Sequence, residues 1–173
     1  MFFVMPTVAV LLALGSDRQR QRRRVEEQEA LYDAVIGETE FGAGLMPAAT
    51  ALDSAFYFLD NADLDIEGDG WEERYEELME GALSSLGVSA EDPVLYVGTL
   101  EIPREARRQG YGRDLMEGAE RWATAHGAKL VVVYSTDIGA GHSEGFMRRL
   151  GYEMIFEAPW GGGVMVKHVE PAQ

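Results

Sequence analysis

The chain lacks cysteine and contains only two lysines among its 173 residues. Without cysteine it can form no disulfide, no thiolate metal site and no cysteine-linked covalent intermediate. Its 30 acidic residues outnumber 15 basic ones, which gives a net charge of -15 at pH 7. Such a charge disfavours binding to nucleic acid phosphates and favours a cationic ligand.

Long hydrophobic runs are also scarce. The most apolar stretch, residues 2–14, is shorter than the roughly 20 apolar residues that span a bilayer. Five arginines follow it at 18–24, whereas a secretory signal carries its positive charge before the apolar run. We therefore predict a buried strand at 2–14 and a helix from the Ser16 capping box to Gly37, in a cytoplasmic protein. A membrane-associated segment at 1–24 is the alternative.

The composition predicts a single folded domain over residues 1–173. Its 46% of hydrophobic residues are enough for a core of ordinary size. Residues 25–92 carry nineteen acids and one arginine. Within this segment, apolar residues recur at helical spacing from Pro47 to Leu59 and from Trp71 to Gly87. The pattern predicts two amphipathic helices with acidic outer faces.

After Pro93 the pattern alternates between strands and helices. The predicted elements are a strand at 94–102, a helix at 113–125, a strand at 129–135, a helix at 143–150, and strands at 152–158 and 164–169. This order, β-α-β-α-β-β, indicates an α/β fold.

The segment Arg107–Gly112, between the first of these strands and its helix, is typical of an anion-binding turn. Its two glycines let the backbone approach a ligand closely, and amides at a helix N-terminus point toward negative charge. Arg104, Arg107, Arg108 and Arg113 add positive charge to an acidic chain. The segment has neither the Lys-Ser or Lys-Thr step of a P-loop nor the three glycines of a dinucleotide loop.

On these residues the chain resembles the GNAT superfamily of N-acetyltransferases. Arg107, Gly110 and Gly112 match its pyrophosphate loop, which reads Arg or Gln, two residues, Gly, one residue, and Gly or Ala. The segment Phe146–Tyr152 resembles the superfamily's later helix, which ends in a Gly-Phe or Gly-Tyr step. Both motifs lie in the expected order, and the resemblance covers about residues 93–169.

The resemblance implies a fold and a co-substrate. A mixed central sheet flanked by helices would splay between two parallel strands, 94–102 and 129–135, and acetyl-coenzyme A (acetyl-CoA) would bind in the opening. Residues 93–173 would form this half, and residues 1–92 would form the acceptor side. The implied cofactor-binding residues are Leu100, Ile102, Arg107, Arg108, Gln109, Gly110, Tyr111, Gly112, Arg113 and Phe146.

The implied reaction is direct acetyl transfer to a primary amine in a ternary complex. The acceptor would be a small-molecule or peptide amine, and the net charge favours a cationic one. Nucleic acid and membrane partners are not expected, and a homodimer is left open. The candidate catalytic residues are Tyr96, where the superfamily often has a carboxylate base, Glu101 on the same strand, and Tyr134. Asp137 at the end of the second strand is a further acid.

Two positions depart from the superfamily pattern. Where the later helix usually offers an Asn and then a Tyr that protonates the departing sulfur, this chain has Ala140 and Met147. The proton donor therefore stays open among Tyr134, Tyr111 and water. The alternative function is a non-catalytic module that binds acyl-CoA or another protein. His142, at the start of the same helix, is most simply an exposed side chain.

The acidic segment before the second helix resembles the start of an EF-hand calcium loop. Asp63, Asp65, Glu67 and Gly68 match its first positions, but the twelfth position, a bidentate Glu in EF-hands, is Arg74. We expect a solvated acidic loop and no metal.

Overall fold

The computed structural model describes residues 40–59, 64–102, 104–135, 143–159 and 161–169. The predicted strand at 2–14, the helix from Ser16 to Gly37 and the alternative membrane-associated segment 1–24 lie outside these ranges. Among the helices of the described ranges, none combines the length and the hydropathy that crossing a bilayer requires.

A five-stranded mixed sheet forms the centre of the fold. Its strands, in chain order, are β1 (Glu40–Pro47), β2 (Pro93–Glu101), β3 (Leu130–Ser135), β4 (Glu153–Glu157) and β5 (Gly163–His168). Their spatial order is β1-β2-β3-β5-β4, with β2 and β3 parallel and the other neighbours antiparallel. The predicted mixed sheet with one parallel pair is confirmed.

In the described part of the chain four helices flank this sheet, and a short 3-10 turn follows β2. They are α1 (Ala48–Phe56), α2 (Trp71–Leu86), α3 (Tyr111–Ala125) and α4 (Ser143–Arg149), with the turn at Arg104–Ala106. Helix α2 ends where predicted, because Gly87 takes the left-handed conformation with φ 66°. All four helices appear where the apolar spacing predicts them.

Side chains of β2 and β3 alternate between two core layers. On one face Leu95 and Val131 belong to a cluster with Trp122 of α3. On the other face Val94 and Val132 belong to a cluster with Leu52 of α1. Burying each such side chain contributes about 1.5–3 kcal/mol. The sheet is therefore covered on both faces. A ligand can reach it at the ends of its strands.

Strand β1 was not among the predicted elements. Phe41 and Ala43 point toward the core, but the residues after each of them, Gly42 and Gly44, have low strand propensity. Hydrogen bonding to β2 stabilises the strand conformation that the local sequence does not favour. The register passes from Gly42 opposite Thr99 to Ala43 opposite Val97, so β2 carries a bulge at Gly98.

Candidate functional site

Strands β2 and β3 separate toward their C-terminal ends. The last pair of their parallel register is Val97 and Val133. Beyond it β2 stays paired with β1 as far as Glu101, while β3 stays paired with β5 as far as Ser135. The two strands thus leave an opening at the place where the resemblance implies one.

The loop after β2 leads into the N-terminus of α3 through two left-handed residues. Arg108 has φ 63° and Gly110 has φ 92°. A Cβ atom built on Gly110 would have no atom within 4 Å, so this position faces open space. Helix α3 opens with a hydrogen bond of 3.0 Å from the Asp114 amide to the Gly110 carbonyl. The amides that precede it point out of the helix N-terminus, as an anion site requires.

Three predicted binding residues use their side chains to build the loop itself. Arg107 Nε donates to the Ile102 carbonyl at 3.0 Å, and Gln109 Nε2 donates to the Glu105 carbonyl at 3.2 Å. The Tyr111 hydroxyl donates to Gln109 Oε1 at 3.2 Å. The backbone carbonyl of Ile102, itself a predicted cofactor-binding residue, therefore accepts a hydrogen bond from Arg107. Because these side chains are used within the loop, the groups of the loop that remain for an anion are mainly backbone amides.

The positive charge on the loop surface comes from arginines that remain exposed. Arg104, Arg108 and Arg113 are exposed, and Glu105 and Asp114 lie among them. The turn is therefore a mildly positive region of a chain with net charge -15. This local excess of arginine favours an anionic ligand.

Phe146 of α4 lies against the first turn of α3. A Cβ atom on Gly112 would be 3.1 Å from Phe146 Cζ, so the absence of a side chain at Gly112 leaves room for the ring. Phe146, Leu100 and Ile102 are partly buried and pack against the same core cluster. These three predicted residues therefore share the face of the sheet that α3 covers.

Tyr96 lies in the opposite core layer, where only 3% of its surface is exposed. Its hydroxyl donates to the Ser54 carbonyl of α1 at 3.5 Å. Burial raises the pKa of Tyr96, so the phenol keeps its proton at neutral pH. The Tyr96 hydroxyl thus joins β2 to α1, and a catalytic role for Tyr96 stays a prediction.

Glu101 ends β2 as an exposed side chain. Alternate residues of an unbroken strand lie on opposite faces of the sheet, which would separate Glu101 from Tyr96. The bulge at Gly98 changes this, because Leu100 returns to the core layer of Leu95. Glu101 therefore follows on the same face as Tyr96, at the open end of the splay.

Tyr134 is the first residue of β3 beyond the last β2–β3 pair, and it lies partly buried on the face of Tyr96. The ring of Phe58, just after α1, stacks on it with centroids 4.7 Å apart and planes 22° apart. Phe58 is absent from the predicted site residues. The three consecutive aromatics at 56–58 were the available signal, but helical spacing accounted only for Phe56.

Other predicted residues lie away from the opening or outside the described part of the chain. Met147 is buried in the core layer of α3. Ser143 Oγ is 2.8 Å from Ser135 Oγ, which joins the start of α4 to the end of β3. Asp137, Ala140 and His142 lie outside the described residues.

In the acidic loop, Arg74 binds backbone carbonyl groups. Its guanidinium donates to the carbonyls of Ile66 at 3.0 Å, Glu67 at 2.6 Å and Asp69 at 3.0 Å. The described residues contain no group of three or more His, Asp or Glu that could hold a metal ion. Asp63, the first position of the calcium-loop pattern, lies outside them. An arginine side chain thus holds this loop together.

Comparison with known proteins gives one family. The model of the Acetyltransferase (GNAT) family matches residues 60–152, more than half of the chain. No curated protein sequence matches the chain significantly.

Solved structures with a similar fold are distant in sequence. Arylalkylamine N-acetyltransferase like 5b from mosquito is 14% identical with TM-score 0.49, over 92% of this chain and 86% of that one. Arylalkylamine N-acetyltransferase 2 from Aedes aegypti is 15% identical with TM-score 0.47, over 76% and 68%. A polyamine N-acetyltransferase from Drosophila melanogaster is 19% identical with TM-score 0.47, over 75% and 68%.

Proposed function

The chain belongs to the acetyltransferase (GNAT) family, and from this premise we propose that it transfers an acetyl group from acetyl-CoA to a primary amine by direct attack in a ternary complex. The observation that carries the proposal is the pairing of two features. One is the opening between β2 and β3 beyond Val97 and Val133. The other is a helix N-terminus with open space at Gly110 beside that opening.

The residues present fit acetyl-CoA. Open space at Gly110 leaves room for a diphosphate in front of the first-turn amides of α3, and Arg108 and Arg113 contribute charge. Leu100 and Phe146 offer apolar contacts for the pantetheine. In this proposal residues 93–173 are the acetyl-CoA half of one domain, and residues 1–92 are its acceptor side.

The chain's task in this reaction is positioning and proton transfer, because acetyl-CoA supplies an acetyl group already activated as a thioester. The amine nitrogen bonds to the acetyl carbon and the carbon–sulfur bond breaks. Before the attack an ammonium group loses one proton to a base. The nitrogen loses a second proton as the amide forms, and the sulfur leaves as a thiol after taking one, so one proton is released overall. No step needs cysteine, in agreement with its absence from the sequence.

Two side chains near the opening suit the proton transfers. Glu101 is an exposed carboxylate at the end of β2, and we assign it the role of base, directly or through water. Tyr134 lies where β3 leaves β2, and we assign its hydroxyl to the departing sulfur. Tyr96, bonded to the Ser54 carbonyl, is a positioning residue between α1 and β2.

The acceptor is a cationic amine in this proposal. Helix α2 exposes Glu72, Glu73, Glu76, Glu77 and Glu80, and the net charge of the chain is -15. These carboxylates attract ammonium groups and raise their local concentration.

A second candidate function is a non-catalytic module that binds acyl-CoA. It is favoured by Met147, which is buried on the helix from which the superfamily usually supplies a tyrosine. Both functions require the chain to bind acyl-CoA, but only the acetyltransferase transfers the acyl group to an amine.

Titration calorimetry with acetyl-CoA, followed by thiol release with a panel of primary amines, separates them. We expect saturable binding, and thiol release that requires an amine. Binding without release on any amine supports the module, and absence of binding contradicts both functions.

A further inference from the structure

Two large rings are exposed at the end of α1. The side chain of Tyr57 is 85% exposed and that of Phe58 is 50% exposed. Their rings meet edge to face, with centroids 5.9 Å apart and planes 82° apart. Phe58 in turn stacks on Tyr134 at 4.7 Å. Tyr57, Phe58 and Tyr134 form a continuous aromatic surface, called the aromatic wall below.

The aromatic wall borders the opening between the parallel strands. Tyr134 is the first residue of β3 after the last pair, Val97 and Val133. Phe58 covers one side of the Tyr134 ring and keeps about half of its own surface in solvent. An acceptor that binds at the end of this splay on the face of Tyr134 therefore lies close to the rings.

Negative charge lies beside the aromatic wall. Asp53 is one helical turn before Tyr57, and its Oδ1 accepts a hydrogen bond of 2.6 Å from the Tyr75 hydroxyl of α2. This bond holds α2, with its glutamates, against α1. Arg74 is the one basic residue of α1 and α2, and its guanidinium donates hydrogen bonds to the carbonyls of Ile66 and Glu67. The surroundings thus favour a cation over an anion.

From this arrangement we infer that the aromatic wall is the acceptor subsite, and that the acceptor class is a primary amine carrying an aromatic ring. The ring stacks on the exposed part of Phe58, and the carboxylates of α1 and α2 draw the ammonium toward the opening. Aliphatic amines of equal size lack a face to stack. The inference rests on the proposed function for the amine's role as acceptor.

Two matched amines test the inference by binding, independently of turnover. Phenylethylamine and cyclohexylethylamine carry the same charge and nearly the same volume, but only the first has an aromatic face. Calorimetric titration of each into the full chain saturated with coenzyme A gives a dissociation constant without reaction. We expect phenylethylamine to bind about three- to tenfold more tightly.

A variant series then locates the effect. Phe58→Leu keeps an apolar side chain and removes the ring, so the preference for phenylethylamine should fall to less than twofold. Leu45→Ala is the control, because Leu45 is an exposed apolar residue of β1 opposite Leu95, on the closed side of the last β2–β3 pair. It should keep the preference, and its melting curve and that of Phe58→Leu identify any loss of folding.

The outcomes separate this inference from the proposed function. Equal binding of both amines, tighter binding of the cyclohexyl amine, or a preference unchanged in Phe58→Leu overturns the aromatic subsite even if amines are acetylated. Preferential binding of phenylethylamine that Phe58→Leu abolishes supports it even if no thiol is released, in which case the proposed activity alone fails.

Discussion

The ring of Phe146 rests on the backbone of Gly112, since a Cβ atom at position 112 would lie 3.1 Å from Phe146 Cζ. Gly112 belongs to the loop motif and Phe146 to the later-helix motif, which are more than thirty residues apart in the sequence. Their contact fixes the start of α3 against α4. The two sequence motifs therefore act as one structural unit beside the splay.

The contact predicts a coupling between these two positions. Gly112→Ala alone should gain little stability, because the helix preference of alanine, up to about 1 kcal/mol, is offset by contact with the ring. In a Phe146→Leu background the same change should be more favourable by at least about 0.5 kcal/mol. Urea unfolding of the four proteins measures this difference. Gly81→Ala in α2, whose Cβ would meet nothing within 4 Å, is the control and should give one value in both backgrounds.

Gly110 allows the charge at the diphosphate position to be tested separately from backbone strain. Gly110→Asn and Gly110→Asp carry side chains of equal size, and both tolerate a φ of 92° better than other residues do. We expect coenzyme A to bind about 10- to 100-fold more weakly to the Asp variant than to the Asn variant, because of repulsion between like charges. Calorimetry gives both dissociation constants, and equal values would place the diphosphate elsewhere.

Glu101→Gln tests the assignment of the base. The variant should bind acetyl-CoA as the original protein does and lose about 10²- to 10⁴-fold in kcat. Its residual rate should rise with pH up to the pKa of the amine, since the amine must then lose its proton to solvent. Glu91→Gln, an exposed carboxylate before β2, is the matched control. Equal kcat values for the two variants would remove Glu101 from the mechanism.

The buried hydroxyl of Tyr152 should make the free energy of unfolding fall at alkaline pH. Its hydroxyl donates to Glu120 Oε1 at 3.0 Å, and Lys167 Nζ lies 2.6 Å from Glu120 Oε2. Burial, followed by the negative charge of Glu120, raises the pKa of Tyr152 far above its usual value. The unfolded chain loses this proton near pH 10 while the folded chain keeps it, so this contribution is complete below about pH 10 and is lost as pH rises further.

The slope should reach about 1.4 kcal/mol of unfolding free energy per pH unit for this one group. Tyr152→Phe should cost about 1 kcal/mol below pH 10 and flatten the decline above it. Urea unfolding between pH 8 and 11 measures both effects. Tyr57→Phe, at a side chain 85% exposed, should retain the slope of the original protein, and an unchanged slope in Tyr152→Phe would refute the assignment.

Local patterns were sufficient for most of the fold, because periodicity and glycine stops depend on neighbouring residues. Gly87 at the end of α2 is an example. Strand β1 was missed because its two inner glycines weaken the local signal, and pairing with β2 stabilises it. The bulge at Gly98 was missed for the same reason, and with it the face on which Glu101 lies. Phe58 on Tyr134 is a contact between distant segments, which periodicity cannot reveal.

Backbone amide NMR during a titration with coenzyme A shows whether the loop before α3 binds the diphosphate. We expect the largest amide proton shifts at residues 108–113, where main-chain donors face the diphosphate, with further shifts at Leu100 beside the splay. Pantetheine, which lacks the diphosphate, should shift the amide resonance of Leu100 and leave the amide resonances of the loop unchanged. Shifts confined to other parts of the sheet, or loop amides unmoved at saturating coenzyme A, would contradict the account.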